Sequence, residues 1–392
     1  MRYIAILLVA LLFGVGESYS AELLVPEDHA TIAGALEAAV FGDTVSIATG
    51  TYYEHDLVWP PGVSILGRAG DPDWVVIDAQ YQGRVLGGED LVPQNELCFL
   101  TLKNGDAEGW PGSGLSAEGD AYLHDFIVEH CRSSHRGIGL YVRGGATITD
   151  CVLRYNQTDA SSTSGGGAWL QDRGHAHPLY VRKLEVHGND AEYGAGIYYN
   201  GFNGYLTELY IHDNPGPGMT VLNGEVDGIG PTVENALFEN NLVCGVGFDA
   251  GLILRNCTFV GNGIPDWWVG AITCLSTWDH PMDPRLTQCI VAFNHGPGIT
   301  RWEPTPFTID CNDVFDNAGG NYTGLPDLTG QYGNISLDPR FCVQGSIPYG
   351  LHADSPCAPE NNDCGLLMGA FPVSCAGTST STLSWSAVKA LY

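Results

Sequence analysis

One segment recurs along most of this chain: an apolar pair, a two-residue gap and an Asn, about every 21 to 33 residues between positions 97 and 324. It reads CVLRYN ending at Asn156, LEVHGN at Asn189, LYIHDN at Asn214, ALFENN at Asn241, CTFVGN at Asn262 and CIVAFN at Asn294. CNDVFDN, ending at Asn317, carries one extra residue, and LTLKNG (to Gly105) and FIVEHC (to Cys131) fit the frame without the Asn. Self-similarity at this period marks a solenoid, in which each repeat is one coil that cannot bury its apolar face alone. A Gly-rich corner and a second short strand follow each Asn, as in GIGLYV at Gly137, GGGAWL at Gly165 and GPGMTV at Gly216. Strands this short, alternating with period two, predict a single-stranded parallel β-helix, all-β, with coils about 4.8 Å apart.

The stacking explains the Asn. Equivalent residues on successive coils lie in register, so each side-chain amide can bond the next, and Asn also tolerates the left-handed backbone of a tight corner. Asn156, Asn189, Asn214, Asn241, Asn262, Asn294 and Asn317 are therefore expected as a structural ladder. Four Asn-x-Ser/Thr sequences occur, at Asn156, Asn256, Asn321 and Asn334, and the ladder makes glycosylation an unfavoured reading there.

An open β-helix needs covered ends. At the N-terminal end, Ala30 to Val40 has apolar residues at helical spacing, with Thr31 or Asp28 as N-cap and Gly42 as a stop. Residues 1–20 read as a secretory signal cleaved near Ser20, so that 21–324 form the capped β-helix. Residues 325–375 lose the repeat and gain Pro and Cys as a C-terminal cap. Residues 376–392 read as a Ser/Thr-rich linker and a short apolar tail. A signal implies a chain exported to the extracellular space or cell surface, where disulfides are permitted. Among the 12 Cys, Cys151, Cys257 and Cys289 share a core-facing repeat position and are expected as buried thiols. In the cap, Cys357–Cys364 is the expected bridge. No segment is long enough to span a membrane. The net charge of −29, with only three Lys, disfavours nucleic acid and anionic lipid.

Several stretches resemble the right-handed parallel β-helix proteins of the pectin-lyase-like superfamily, in particular secreted or surface repeat proteins of bacteria. They are TIAGALEAAVFGDTVSIATGTYYE (Thr31–Glu54), GVSILG (Gly62–Gly67), the Asn ladder, and DPRFC with ADSPCAPENNDCGLLMGA (Asp338–Ala370). The resemblance implies fold and handedness and leaves activity open, because that fold hosts lyases, hydrolases, esterases, epimerases and adhesins. GTYYE (Gly50–Glu54) matches an esterase pattern, Gly-x-Tyr-x-Glu, but the Gln-Asp-Thr-Leu segment expected after it is missing.

The two longest coils carry their extra residues after equivalent strands, in QDRGHAHP (Gln171–Pro178) and STWDHPMDP (Ser276–Pro284). Equal phase places both loops on one edge of the rod, four coils or about 19 Å apart. Between them a trough suits an extended saccharide, with aromatic faces for sugar rings and charged ends for hydroxyls. Candidate catalytic residues there are Asp172, Asp279 and Asp283 with Arg173, Arg285 and His280. Candidate binding residues are Trp278, His175 and His177, with Trp267 and Trp268 nearby. No metal ligands are assigned and no cofactor is called for, although calcium is left open. The expected protein is a monomeric β-helix offering a long surface to a polysaccharide or cell-surface partner. The alternatives are a polysaccharide lyase or glycoside hydrolase, and a purely structural spacer.

Overall fold

From Leu97 onward each coil turns twice at a residue with left-handed backbone. At the first corner stand Asp125, Asp150, Lys183 and Glu208 (φ 49°, 57°, 54° and 55°), and at the second Tyr155, Asp213, Asn240 and Phe293 (φ 56°, 50°, 52° and 56°). Such a residue points its side chain outward and lets the next one turn into the core. These corners divide every coil into three strands, and like strands stack in parallel along the rod. The computed structural model describes residues 20–158, 163–172, 177–201, 203–222, 230–249, 251–265, 269–275, 284–304, 306–342 and 349–375.

Sheet 1 precedes the first corner. Its inward column runs Leu23, Val45, Ile65, Leu97, Leu123, Ile148, Val181, Leu206, Val233, Leu254, Leu286 and Ile309, one residue for each of twelve coils. Sheet 2 lies between the corners, with Leu102, Val128, Leu153, Val186, Ile211, Phe238 and Phe259 among its inward residues. Sheet 3 follows the Gly-rich turn, its inward column including Leu140, Ala168, Ile197, Met219, Val246 and Ile272. These columns form one continuous apolar core. Burying a Leu, Ile or Val stabilises by about 1.5–3 kcal/mol, so each coil contributes only together with its neighbours.

The Asn ladder exists, with one change from the expected geometry. Ladder amides donate to the next Asn Oδ1 at 2.9 Å (Asn156 to Asn189), 2.9 Å (Asn214 to Asn241), 3.0 Å (Asn241 to Asn262) and 2.8 Å (Asn294 to Asn317). The residue before each Asn takes the left-handed turn; the Asn itself does not. The reason is steric: the amide must face the core to bond the coils above and below, and an outward-turned corner residue cannot. The second Gly of the Gly-x-Gly turn serves the same ladder. A Cβ on Gly139, Gly218 or Gly298 would come within 2.8 Å of a ladder amide nitrogen. The last repeat has no extra residue. Asn312 fills the inward position, and Cys311 is the left-handed corner (φ 54°). Asn312 starts a second, short ladder by donating to Asn334 at 3.0 Å.

At the N-terminal end the helix α1 spans Ile32–Ala38, with Thr31 Oγ1 accepting from the Gly34 N–H. Glu54 completes its cap: its two carboxylate oxygens each accept a backbone N–H at 2.8 Å, from Ile32 and Ala33. The Glu of GTYYE is thereby committed to holding the helix, which the exposed N–H groups and dipole of a helix N-terminus favour.

The C-terminal segment passes under the last coil, where Ile335 bridges to Asp313, and then folds back over the outer face of sheet 2. Gly369 N–H donates to the Gln288 carbonyl at 2.8 Å, and Ala370 N–H to Thr258 Oγ1 at 2.9 Å. Leu351, Met368 and Phe341 pack there on Ile290 and Ala292. The bridges are Cys311–Cys364 and Cys342–Cys375. This corrects the expected Cys357–Cys364 pair. Cys311, turned out at the corner, meets Cys364, whereas Cys357 is buried and donates to Asp313 Oδ2 at 3.2 Å. Cys151, Cys257 and Cys289 are buried free thiols. No helix among the described residues is long and apolar enough to cross a membrane.

Candidate functional site

The outer face of sheet 2 emerges when the repeats are read four and two residues before the Asn. The first column is Val152, Glu185, Tyr210 and Leu237; the second is Arg154, His187, His212 and Glu239. Alternation along each strand sends both columns outward. Outward residues on a solenoid are ordinarily solvated, yet Ile127, Val152 and Glu185 are only 5%, 8% and 8% exposed. They form the floor of a trough. At its N-terminal end stands the turn 70–73, where the Pro72 carbonyl accepts from Thr101 Oγ1 at 2.9 Å. Corner residues Asp125, Asp150, Lys183 and Glu208 line one side of a cavity of about 370 Å³. The C-terminal cap closes the other end through Tyr349, which donates to Glu239 at 2.5 Å.

Within this trough the polar groups engage one another. His212 Nδ1 lies 2.7 Å from Asp213 Oδ2 and its Nε2 3.4 Å from Glu185 Oε1. His187 Nε2 lies 3.8 Å from the same Glu185 oxygen, and its ring stacks on His212 at 4.8 Å between centroids. Tyr210 stacks on His212 at 3.9 Å and donates to Glu239 at 2.5 Å. Burial, with His212 alongside, pushes the His187 pKa down to about 4, so its imidazole is neutral at neutral pH. For His212 burial is the largest single influence and opposes charge, but the bonds to Glu185 and Asp213 outweigh it and raise the pKa. Burial and the Glu239 carboxylate raise that of Tyr210. Neutral imidazole, carboxylate and phenol in contact can accept, donate and relay protons.

Among the described residues, two groups of side chains could hold a metal ion. In Glu185, His187 and His212, and again in Glu96, Cys98 and His124, the ligand atoms lie within 4.8 Å of one another.

Three of the residues singled out from the sequence are described, and they lie elsewhere. Asp172 is 6% exposed and accepts the Asn203 N–H at 3.0 Å, inside the corner beyond sheet 3. His177 is exposed, 3.9 Å from Asp120, and Arg285 is an outward, exposed residue of sheet 1. Arg173, His175, Trp267, Trp268, Trp278, Asp279, His280 and Asp283 lie outside the described residues. The strands preceding the two loops do stand four coils apart in one column, from Ala168 to Ile272. The four Asn-x-Ser/Thr amides are all engaged within the protein: Asn156 with Val128, Asn256 with Leu367, Asn321 with Ser336 and Asn334 with Ile309. On sheet 3, Tyr141, Trp169 and Tyr198 stack in a row, but Trp169 is only 2% exposed.

Solved structures similar to the chain include the A-module of the Azotobacter vinelandii mannuronan C-5 epimerase AlgE4, with TM-score 0.45 and 12% identity, covering 76% of this chain and 89% of that one. The AlgE6 A-module of the same organism has TM-score 0.44 and 16% identity, covering 78% and 95%. The catalytic domain of a GH87 alpha-1,3-glucanase in complex with nigerose has TM-score 0.36 and 9% identity, covering 81% and 68%. Among curated proteins none matches the chain by sequence. The coils that carry most of the ladder and both columns of the trough are also the stretch matched by the family model described as right handed beta helix region, residues 100–314, more than half of the chain, and the chain belongs to that family.

Proposed function

We propose that this protein binds a polysaccharide chain along the outer face of sheet 2, and that it meets that chain outside the cell. The observation that carries the reading is the trough. An apolar floor at Ile127 and Val152 passes into hydrogen-bonding Glu185 and Tyr210 between two walls. Sugar rings have apolar faces and hydroxylated edges, and a floor of this kind serves both. Five coils, from Ile127 to Leu237, give it a length of about 19 Å. Asp125, Asp150, Glu185 and Glu208 face the cavity against Lys183 alone, so a neutral glycan suits it better than a polyanion. Two disulfides agree with an oxidising compartment.

The test is titration calorimetry with neutral and acidic polysaccharides on the wild type and on Val152→Trp, whose indole would fill the cavity. Binding of a neutral glycan, weakened at least about tenfold in a variant with unchanged circular dichroism, is the expected result. Binding to no glycan, or binding indifferent to the indole, removes the proposal.

A second reading adds chemistry on the bound chain. It is favoured by the 3.4 Å approach of Glu185 to His212 and by Tyr210 stacked on that imidazole, an acid–base set within one coil spacing. New oligosaccharides detected by mass spectrometry, and lost in Glu185→Gln, would establish it.

A further inference from the structure

We propose that Glu185, His187 and His212 form a binding site for a divalent transition-metal ion of the zinc class. Glu185 and His187 are two residues apart on one strand and so project from the same face. His212 pairs with His187 on the next coil. The Glu185 oxygen therefore sits 3.4 Å from one imidazole nitrogen and 3.8 Å from the other. Zinc bonded at about 2.0–2.1 Å in a tetrahedron needs ligand atoms about 3.4 Å apart. One pair already has that separation, and the other closes with a small movement. The two rings stack within 15° of parallel. Turning them toward a shared ion uses the broad Cβ–ring torsion, which is soft in histidine.

An independent feature supports the assignment. Asp213 holds Nδ1 of His212 at 2.7 Å, which fixes the N–H on that side and leaves Nε2, on the Glu185 side, as the atom that an ion would take in place of a proton. Carboxylate–histidine–metal relays fix metal-binding imidazoles in this way. Tyr210 stacked on His212 and Tyr155 edge-on to His187 limit the wandering of both rings. The three side chains keep 10%, 15% and 12% of their exposure, which leaves an approach from the cavity that Glu185 lines.

The donor set selects the ion. Calcium takes six or more oxygen ligands, whereas two imidazoles and one carboxylate suit zinc and its first-row neighbours. The other cluster is weaker. It offers one imidazole against two here, with a buried thiol, Cys98, as its third group. A bound ion would turn an open coordination position toward the trough, where a glycan hydroxyl or a water could complete it. The proposal shares the trough with the glycan reading but does not require it.

The experiment uses the untagged full chain, stripped with chelator, and zinc chloride alone in a calorimeter. Co²⁺ in place of zinc reports coordination through its visible absorption. The expected result is one equivalent bound at micromolar affinity or better. His187→Ala and His212→Ala should each weaken it about 100-fold, and Asp213→Asn about 10–100-fold. His124→Ala and a His175→Ala, His177→Ala double variant should leave it unchanged. Should an alanine variant fail to fold, His212→Gln takes its place, and melting curves confirm the fold. Absence of one-equivalent binding, or binding that survives loss of both His187 and His212, overturns the site. Zinc binding without glycan binding would sink the glycan reading alone; glycan binding indifferent to chelator, with no zinc bound, would sink only the metal site.

Discussion

Glu239 joins the C-terminal cap to the body of the rod: the Tyr349 hydroxyl donates to its Oε1 at 2.5 Å while the Tyr210 hydroxyl donates to its Oε2 at 2.5 Å. Tyr349 and Glu239 are 110 positions apart in sequence. The pair therefore records how the cap folds back along sheet 2 and makes one wall of the trough. Both phenols donate, so only a carboxylate, which offers two acceptors, satisfies both. Glu239→Gln would set an amide N–H₂ against one phenol. We expect a loss of about 2–3 kcal/mol for Glu239→Gln and about 1–2 kcal/mol for Tyr349→Phe, typical of hydrogen bonds to a charged group. In the Glu239→Gln background Tyr349→Phe should cost less, a coupling that urea denaturation of the four proteins would reveal. Additive effects would mean that the cap is held elsewhere.

Ladder position should matter as much as ladder identity. Asn241 donates to the Ile211 carbonyl at 2.9 Å and to Asn262 at 3.0 Å, and accepts from Asn214 at 2.9 Å. Replacing it by Ala removes one buried bond from each of three groups, although Asn262 Oδ1 keeps the Asn241 N–H and the Asn214 amide keeps two carbonyls; at about 1 kcal/mol for each bond lost, a loss of about 3 kcal/mol is expected. Asn321, half-buried at the end of the ladder, accepts from Asn317 and donates to Ser336. Water can replace those partners, so Asn321→Ala should cost about 1 kcal/mol. Equal denaturation midpoints for the two variants would refute a cooperative ladder.

The ladder was legible in the sequence because a β-helix repeats its physics: each coil poses the same packing problem, and Asn156 through Asn317 solve it with the same residue. Fold class and the core cysteines follow from that regularity, and α1 from its own helical spacing. The trough was hidden by the same regularity. Glu185, His187, Tyr210 and His212 sit inside LEVHGN and LYIHDN, two of the repeat segments that define the ladder. Their register across coils carries the signal: two and four residues before the Asn, solvent-facing columns turn from apolar and basic to acidic, imidazole and phenol. Long loops drew attention instead, because polar insertions are the usual place for function on a scaffold. Cys311 misled for a related reason. Counted back from Asn317, it reads as an extra residue in the strand, and only the corner conformation shows that it faces outward.

That outward turn makes the disulfide pairing testable. Peptide mapping of the unreduced protein should recover Cys311 linked to Cys364 and Cys342 linked to Cys375. Cys357 should be alkylated only after unfolding, since it is fully buried. The Cys311–Cys364 bridge spans 53 residues, and losing a bridge of this kind typically costs about 2–5 kcal/mol. Cys311→Ala and Cys364→Ala should therefore be destabilised alike, and the double variant no further. A Cys357–Cys364 peptide would contradict the fold of the cap.

Asp313 gives the cap a pH dependence of known sign. It occupies the outward column of sheet 2 beyond Ile290, fully covered by the cap, and accepts from Leu337 N–H at 3.1 Å and Cys357 Sγ at 3.2 Å. Burial pushes its pKa up to about 6, against the pull of those two donors. In the unfolded chain the same group titrates near 3.9. Between about pH 4 and pH 6 the folded state therefore holds more of this proton than the unfolded state does, and stability must fall as pH rises through that window. The contribution is fully present below pH 4 and gone above pH 6 to 7. A two-unit difference corresponds to about 3 kcal/mol at most. Asp313→Asn keeps an acceptor for Leu337 and removes the titration. Its melting temperature should match the wild type near pH 4 and exceed it near pH 7. The mutual repulsion of the other acidic groups, at a net charge of −29, acts on both proteins and cancels in the difference. Parallel melting curves across the whole range would show that Asp313 is ionised within the fold, and that the cap admits more water than its packing indicates.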